Sequence, residues 1–333
     1  MSDHERPTQE QIAAMVNDRA AQMDARQAEK EQQGGLRCMD FQHFMNKPYP
    51  PRKMLLAPII PQQALCMLYA PRGVGKTFTS LSIAYAVASG GKVFGRWYAP
   101  EPARVLFVDG EMPAVTLQER LKDIAAGSGI SLAPDMLKII TPDEQDCPMP
   151  NLATVGGQAA VEPFLAEVSL VVLDNLATLA RGGRANDEES WLPVQTWLLN
   201  LRRRGIAVLC IHHAGKGGDQ RGTSAKEDVL DTVISLRRPT DYKSEDGARF
   251  EVHLTKARGI CGSDANPFEA MLKKDECGAL VWHTRDIEDA RLEQLRQLLA
   301  DGYTERDAAE EMRISKGTVG RLKKKLALQG GTK

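Results

Sequence analysis

No stretch of this 333-residue chain offers the roughly 18 consecutive apolar residues that a membrane-spanning helix needs. The first thirty residues are polar and lack the apolar core of a secretory signal. A membrane-embedded or exported protein is therefore not expected, and a cytoplasmic one is. Cysteine is sparse and scattered, at Cys38, Cys66, Cys147, Cys210, Cys261 and Cys277, without a C-x-x-C pair. That argues against a zinc site; Cys66 and Cys210 sit in apolar, strand-like runs and read as reduced, buried thiols. Excess charge is missing too: 43 Lys and Arg face 44 Asp and Glu, for a net charge of −1. A uniformly basic surface is excluded, so any binding to nucleic acid has to be local. No segment repeats.

What is present is the composition of a soluble globular protein, 42% hydrophobic and 26% charged, in a length that suits about two domains. Three regions are expected. Residues 1–35 are rich in Gln, Ala and charge and end in Gly34-Gly35; Ile12, Met15, Val16 and Met23 line one weak helical face. This is either a frayed helix or disordered tail, or an arm that docks on a partner or a neighbouring subunit. Pro48, Pro50 and Pro51 then mark an extended lead-in.

In the second region, 36–285, short apolar runs alternate with amphipathic segments. The runs 64–69, 105–108, 137–140, 170–173 and 207–211 read as buried strands, and 77–89 and 191–204 as helices. Such alternation predicts an α/β fold with a mainly parallel sheet covered on both faces. The runs 229–236, 250–255 and 279–282 have more β-branched residues and short connections, which predicts an antiparallel extension.

Ala70-Pro71-Arg72-Gly73-Val74-Gly75-Lys76-Thr77 follows a predicted strand and opens a predicted helix. It fits the Walker A pattern, with Ala in place of the first glycine. Such a loop curls its backbone N–H groups around phosphate oxygens in front of a helix N-terminus. Gly73 and Gly75 allow the backbone angles and the close approach. Gly73, Val74, Gly75, Lys76, Thr77 and Phe78 are thus the candidate nucleotide-contacting residues, with Lys76 on the β- and γ-phosphates and the Thr77 hydroxyl on Mg²⁺.

The run Leu170-Val171-Val172-Leu173-Asp174 reads as a Walker B strand whose Asp174 holds Mg²⁺ through a water; the alternative is an Asp that caps the next helix. Hydrolysis also needs a group that orients or deprotonates the attacking water. Glu111, in Asp109-Gly110-Glu111 at the end of another apolar run, is the first choice and Asp109 the reserve. A further buried strand ends in His212-His213, and one of these imidazoles, His212 preferred, is a candidate γ-phosphate sensor. The loop that follows, with Lys216, Gly217, Gly218, Arg221 and Gly222, is glycine-rich and cationic. It suits sequence-independent contact with nucleic-acid phosphates, or is only a solvated loop. Lys256 and Arg258 alternate onto one side of an extended chain. They are either a surface pair or cations that reach a neighbouring subunit's γ-phosphate.

With these motifs assembled, residues 50–282 resemble the RecA-like ATPases of the RepA type, the hexameric replicative helicases of some plasmids. The likeness rests on Walker A, Glu111, Asp174, His-His-Ala-x-Lys-Gly at 212–217, Arg-Gly-x-Ser at 221–224 and Lys-x-Arg at 256–258. It implies a ring, usually a hexamer, with ATP between subunits and single-stranded DNA in the channel. It further implies that Lys76 and Thr77 bind nucleotide and Mg²⁺, that Glu111 is the catalytic carboxylate and that His212 is the sensor. Arg221 and Arg258 compete for the arginine-finger role; Arg258 also resembles the finger position of DnaB-type helicases and ranks first.

The third region, 286–333, predicts three helices. Leu292, Leu295, Leu298 and Leu299 share one face of the first, Ala308, Ala309 and Met312 face inward in the second, and Val319, Leu322 and Leu326 in the third. From Ser315 to Lys325 there are five Lys or Arg and no acid. The run from Gly302 to Leu322 resembles the helix-turn-helix of resolvases and regulators, which implies duplex DNA as its partner. Ser315 would cap the recognition helix; Lys316, Thr318 and Arg321 would face the groove, and Lys323, Lys324 and Lys325 the backbone. The alternative is a three-helix bundle used for oligomerisation. The expectation as a whole is an ATP- and Mg²⁺-dependent ring ATPase that moves on DNA in the replication of a plasmid, phage or integrative element. Behind it stand an ATP-switched DNA-binding regulator or recombination accessory protein without unwinding activity and, last, a small-molecule kinase.

Overall fold

The computed structural model describes residues 38–181, 188–214 and 227–330. The expected N-terminal arm and the cationic loop with Lys216 and Arg221 lie outside the described residues. The chain forms two compact units, Met1–Pro51 and Arg52–Lys333. Among its described residues the first unit has one short helix, α1 (Phe41–Asn46), started by the Asp40 carboxylate, which accepts from the His43 N–H at 3.0 Å. No described helix is long and apolar enough to cross a membrane.

The second unit opens with β1 (Met54–Leu56), β2 (Ile60–Pro61) and β3 (Leu65–Ala70), then α2 (Lys76–Ser89), β4 (Lys92–Val93), β5 (Trp97–Tyr98), β6 (Val105–Asp109) and α3 (Ala114–Ser128). It continues with β7 (Leu137–Ile140), α4 (Val155–Val161), β8 (Leu170–Asp174), α5 (Leu176–Leu179), α6 (Glu188–Arg203) and β9 (Ala207–His213). Next come β10 (Thr232–Arg237), β11 (Arg249–Ala257), β12 (Phe268–Lys274) and β13 (Leu280–Asp286), and last α7 (Ile287–Ala300), α8 (Glu305–Glu311) and α9 (Lys316–Gly330).

Nine strands make one sheet in the order β13-β12-β11-β10-β3-β9-β8-β6-β7. β10, β3, β9, β8, β6 and β7 run parallel, and β11, β12 and β13 continue antiparallel from β10. All six residues of β3 are buried, as its uninterrupted apolar run requires for a strand covered on both faces. Its side chains alternate between two cores. Cys66 and Leu68 join α2 and α3 on one face; Leu65, Met67 and Tyr69 join Trp191, Val194, Trp197 and Leu201 of α6 on the other. Each fully buried Leu or Val contributes about 1.5–3 kcal/mol, so these two layers carry most of the stability. One strand, β9, separates the P-loop strand β3 from the Walker B strand β8. This is an α/β fold with a mainly parallel sheet and an antiparallel extension, as expected, with a helical region at the C-terminal end.

Two expectations need correction, and one strand was not foreseen. Residues 137–140 form a strand but not a buried one: β7 is the sheet's edge, and Lys138 and Ile139 are exposed. The antiparallel extension starts at β11, not with the 229–236 run, because β10 is parallel to β3. Its β-branched composition fits either direction. β12 had no prediction; its Lys273 and Lys274 end dilutes the apolar run, yet Phe268 and Ala270 are buried.

Five aromatics cluster beneath this extension. Phe94 packs edge-on against Trp97, Phe250, Phe268 and Trp282 at centroid distances of 4.8–6.1 Å, and the Trp282 indole N–H donates to Ser82 Oγ on α2 at 3.1 Å. The last three helices enclose a core of their own, with Leu292, Leu295, Ala308, Ala309, Met312, Val319 and Leu322. Ser315 caps α9 as expected, its Oγ accepting from the Thr318 N–H at 3.1 Å.

Candidate functional site

The parallel strands β3, β6 and β8 end at one sheet edge, and β9 ends beside β3, where Ala70 pairs with His213. A cleft of about 650 Å³ opens there, lined by Gly73, Gly75, Lys76, Thr77 and Phe78, by Glu111, Met112 and Arg120, by Asp174 and Asn175, and by His213, Gly247 and Ala248. Ligands bind at this edge of an open α/β sheet.

The loop ahead of α2 has the conformation its glycines permit. Gly75, the N-cap, has φ +115°, and a Cβ there would stand 2.8 Å from the Phe250 ring, so only glycine fits on both counts. Lys76 is 7% exposed, and its Nζ donates to the carbonyls of Ala70 at 3.0 Å and Pro71 at 2.9 Å. A lysine ammonium has three donors; two hold the loop and one remains for a phosphate oxygen. Burial pushes the Lys76 ammonium below its usual range, and the charges of Asp174 and Glu111 pull it back up.

Asp174 is 3% exposed and accepts from Ser80 Oγ at 2.8 Å. Burial pushes its carboxyl up to about 6, against the hydrogen bonds from Ser80 and Thr77. The cap of α5 is not Asp174 but Asn175, which accepts from the Ala177 N–H at 2.9 Å. Asp174 is thereby left for the cleft, and a carboxylate whose ionised form is penalised by burial suits a cation beside it.

Asp109 and Glu111 divide their roles by environment. Asp109 is 1% exposed and spends its carboxylate inside the protein, accepting from the Met112 N–H at 2.8 Å and from Thr141 Oγ1 at 3.4 Å. Glu111 is exposed and lines the cleft. Of the two, Glu111 is the carboxylate that can meet a water. Burial raises the Asp109 carboxyl to about 6, so the folded state holds a proton that the unfolded chain releases near pH 4. Stability from this group is present below pH 4 and is lost as the pH rises to 6. Asp109→Asn, which keeps an acceptor for Met112, should flatten the fall in Tm between pH 4.5 and 7; an unchanged slope counts against this origin.

The preference for His212 is corrected by the pleat. His212 is 7% exposed, on the same side of β9 as Val208 and Cys210, which join the α6 core; His213, one residue on, lines the cleft. A one-residue step reverses the face. Lys256 and Arg258 do lie on one side: Lys256 Nζ donates to the Glu227 and Asp228 carbonyls, and Arg258 Nη2 to Asp228 at 3.1 Å. Both stand away from the cleft, since Ala257 pairs with Thr232 and Thr232 with Cys66, at the opposite end of β3 from the phosphate loop.

Of the cations expected on DNA, Lys316, Arg321 and Lys324 are exposed along α9. Lys323 is engaged with Glu305 at 2.6 Å and Lys325 with Glu288 at 3.2 Å, while Thr318 is half-buried with its hydroxyl 2.9 Å from Ser315 Oγ. Lys323 is nonetheless exposed and Lys325, like Thr318, is half-buried. Sequence reasoning missed Arg120, Gly247 and Ala248. Arg120, nine residues after Glu111, is held 4.9 Å over the Phe78 ring and, among the described residues, forms no ion pair. Only the helix position, on the same side as Leu117 and Ile124, hinted that it turns back toward the loop.

Against known proteins, the family model described as "AAA domain" matches residues 30–219. No curated protein matches the chain. Among solved structures, a KaiC-like protein from Pyrococcus horikoshii OT3 aligns with a TM-score of 0.45 and 15% identity, over 68% of this chain and 90% of that one. A likeness that distant carries no functional argument.

Proposed function

The chain belongs to the AAA domain family, and on that premise we propose that it is an ATP-hydrolysing, DNA-binding protein of replicative-helicase type that works as a ring of identical subunits. The observation that carries this reading is the convergence of Lys76, Thr77, Glu111 and Asp174 on one cleft at one sheet edge. The backbone N–H groups from Gly73 to Thr77 and the N-terminus of α2 cradle the phosphates. Lys76 would meet the β- and γ-phosphates, and Thr77 and Asp174 would hold Mg²⁺. When bound, the metal neutralises charge on the departing phosphate. Glu111 orients and deprotonates the attacking water, and His213 takes the sensor role first assigned to its neighbour. Arg258 of the adjacent copy supplies the finger.

A ring of this kind binds single-stranded DNA in its channel, where Lys216 is the candidate contact, and duplex through Lys316, Arg321 and Lys324 of α9. The decisive experiment is ATPase activity with and without single-stranded DNA, alongside particle size and strand displacement on a forked duplex. We expect stimulation of about tenfold or more, assembly with nucleotide, and unwinding. Hydrolysis without displacement moves the assignment to an ATP-switched DNA-binding regulator, a reading favoured by the separate helical core of α7–α9. Absence of hydrolysis under all conditions overturns both.

A further inference from the structure

The turn between β10 and β11, residues 238–248, bonds Gly73 of the phosphate loop and leads into Phe250, which lies under Gly75. Arg238 Nη2 donates to the Gly73 carbonyl at 3.2 Å, and its guanidinium lies 4.3 Å over the Tyr242 ring. Tyr242 Oη in turn donates to the Gly247 carbonyl at 3.1 Å. Gly247 has φ +60° and ψ −124°, a conformation reserved for glycine, and with Ala248 it forms one wall of the cleft. The residue that follows, Arg249, is 8% exposed and grips Asp241, Asp246 and Glu269 at 2.9–3.0 Å. Phe250 then packs beneath Gly75. The turn is thus locked from behind by an ionic knot and meets the phosphate loop at Gly73, while the strand it leads into backs Gly75.

We infer that this turn is a brace that holds the phosphate loop in its nucleotide-ready shape, with Arg238 and Tyr242 as its positioning residues. This rests on the nucleotide-binding reading of the cleft and adds a device that acts on affinity. A loop with glycines at positive φ loses backbone freedom when it closes on a ligand; a loop already held pays less of that ordering cost at binding. Arg238 stands at the loop's outer side and bonds a carbonyl, so it acts through the loop and not on the reacting atoms.

Arg249 is too buried to test cleanly, whereas Arg238 is exposed and its replacement leaves the core intact. Equilibrium titration with a fluorescent ADP, which needs no turnover, is the first readout. Arg238→Ala should weaken binding by roughly tenfold, and raise KM for ATP to a similar degree with kcat within about twofold and Tm little changed. Arg238→Lys should recover most of the loss, and Tyr242→Phe should show a smaller loss in the same direction. Unchanged affinity in Arg238→Ala, or a fall in kcat and Tm with KM unmoved, overturns the brace. Lys76→Ala run in parallel separates the premises: if it binds fluorescent ADP like the parent protein, the cleft is not the nucleotide site and the brace falls with it. Binding lost in Lys76→Ala but intact in Arg238→Ala rejects the brace alone.

Discussion

Lys76→Ala is expected to lower ATP hydrolysis by at least about a hundredfold, the scale on which a preorganised charge at a reacting phosphate acts. The loss should be large because no neighbour can substitute. Arg72 and Arg120 also line the cleft, but neither belongs to the helix start that faces the phosphates. Lys76 alone follows the N-cap Gly75 and is anchored by two carbonyls of its own loop. The same anchoring predicts a secondary effect: truncation removes one hydrogen bond from each of the Ala70 and Pro71 carbonyls, but Ala70 still accepts from the Ala214 N–H and Pro71 is open to water, so the cost is at most about 1 kcal/mol. Tm should therefore drop modestly, and Lys76→Met, which keeps the side-chain bulk, should abolish turnover with less of that drop. Phosphate release within about tenfold of the parent rate in a folded Lys76→Ala protein would remove the loop from the chemistry.

Arg258→Ala should be severe as well, about a thousandfold in kcat, if it is the trans-acting finger. Its position supplies the argument. From Cys66, whose register it shares through Thr232 and Ala257, to Ala70 the sheet runs about 13 Å along the strands. A finger at that far end serves a nucleotide held by another copy. Glu111→Gln should be equally inactive alone. In an equal mixture of the two variants, roughly one interface in four pairs an intact Glu111 with an intact Arg258, and activity should return to that extent. If Arg258 instead serves only to hold the Asp228 carbonyl, each subunit carries its own defect and no mixture recovers.

How much could be read beforehand varied with how local the physics is. The phosphate loop, the ends of β6 and β8, and the Ser315 cap follow from short-range rules of backbone angle, strand period and capping, and each stands where the residues put it. His212 against His213 did not, because the choice depends on which side of β9 meets α6, a packing fact set by side chains eleven or more residues from the histidines in sequence. Lys323 and Lys325 looked like free cations in a basic run, yet their partners Glu305 and Glu288 sit on other helices. The cleft's second wall was the least legible. Gly247 and Ala248 carry no chemistry of their own and matter only because the ionic knot at Arg249 brings their backbone to the loop.

One junction bears on how force would pass through such a machine. β13 ends at Asp286 and α7 starts at Ile287, with Ile287 buried and Asp286 ion-paired to Arg96. There is no slack tether at that point. In the proposed ring, a swing of the sheet would be handed directly to the α7 axis, and the exposed cations of α9 would move as a lever arm and not as a bead on a string.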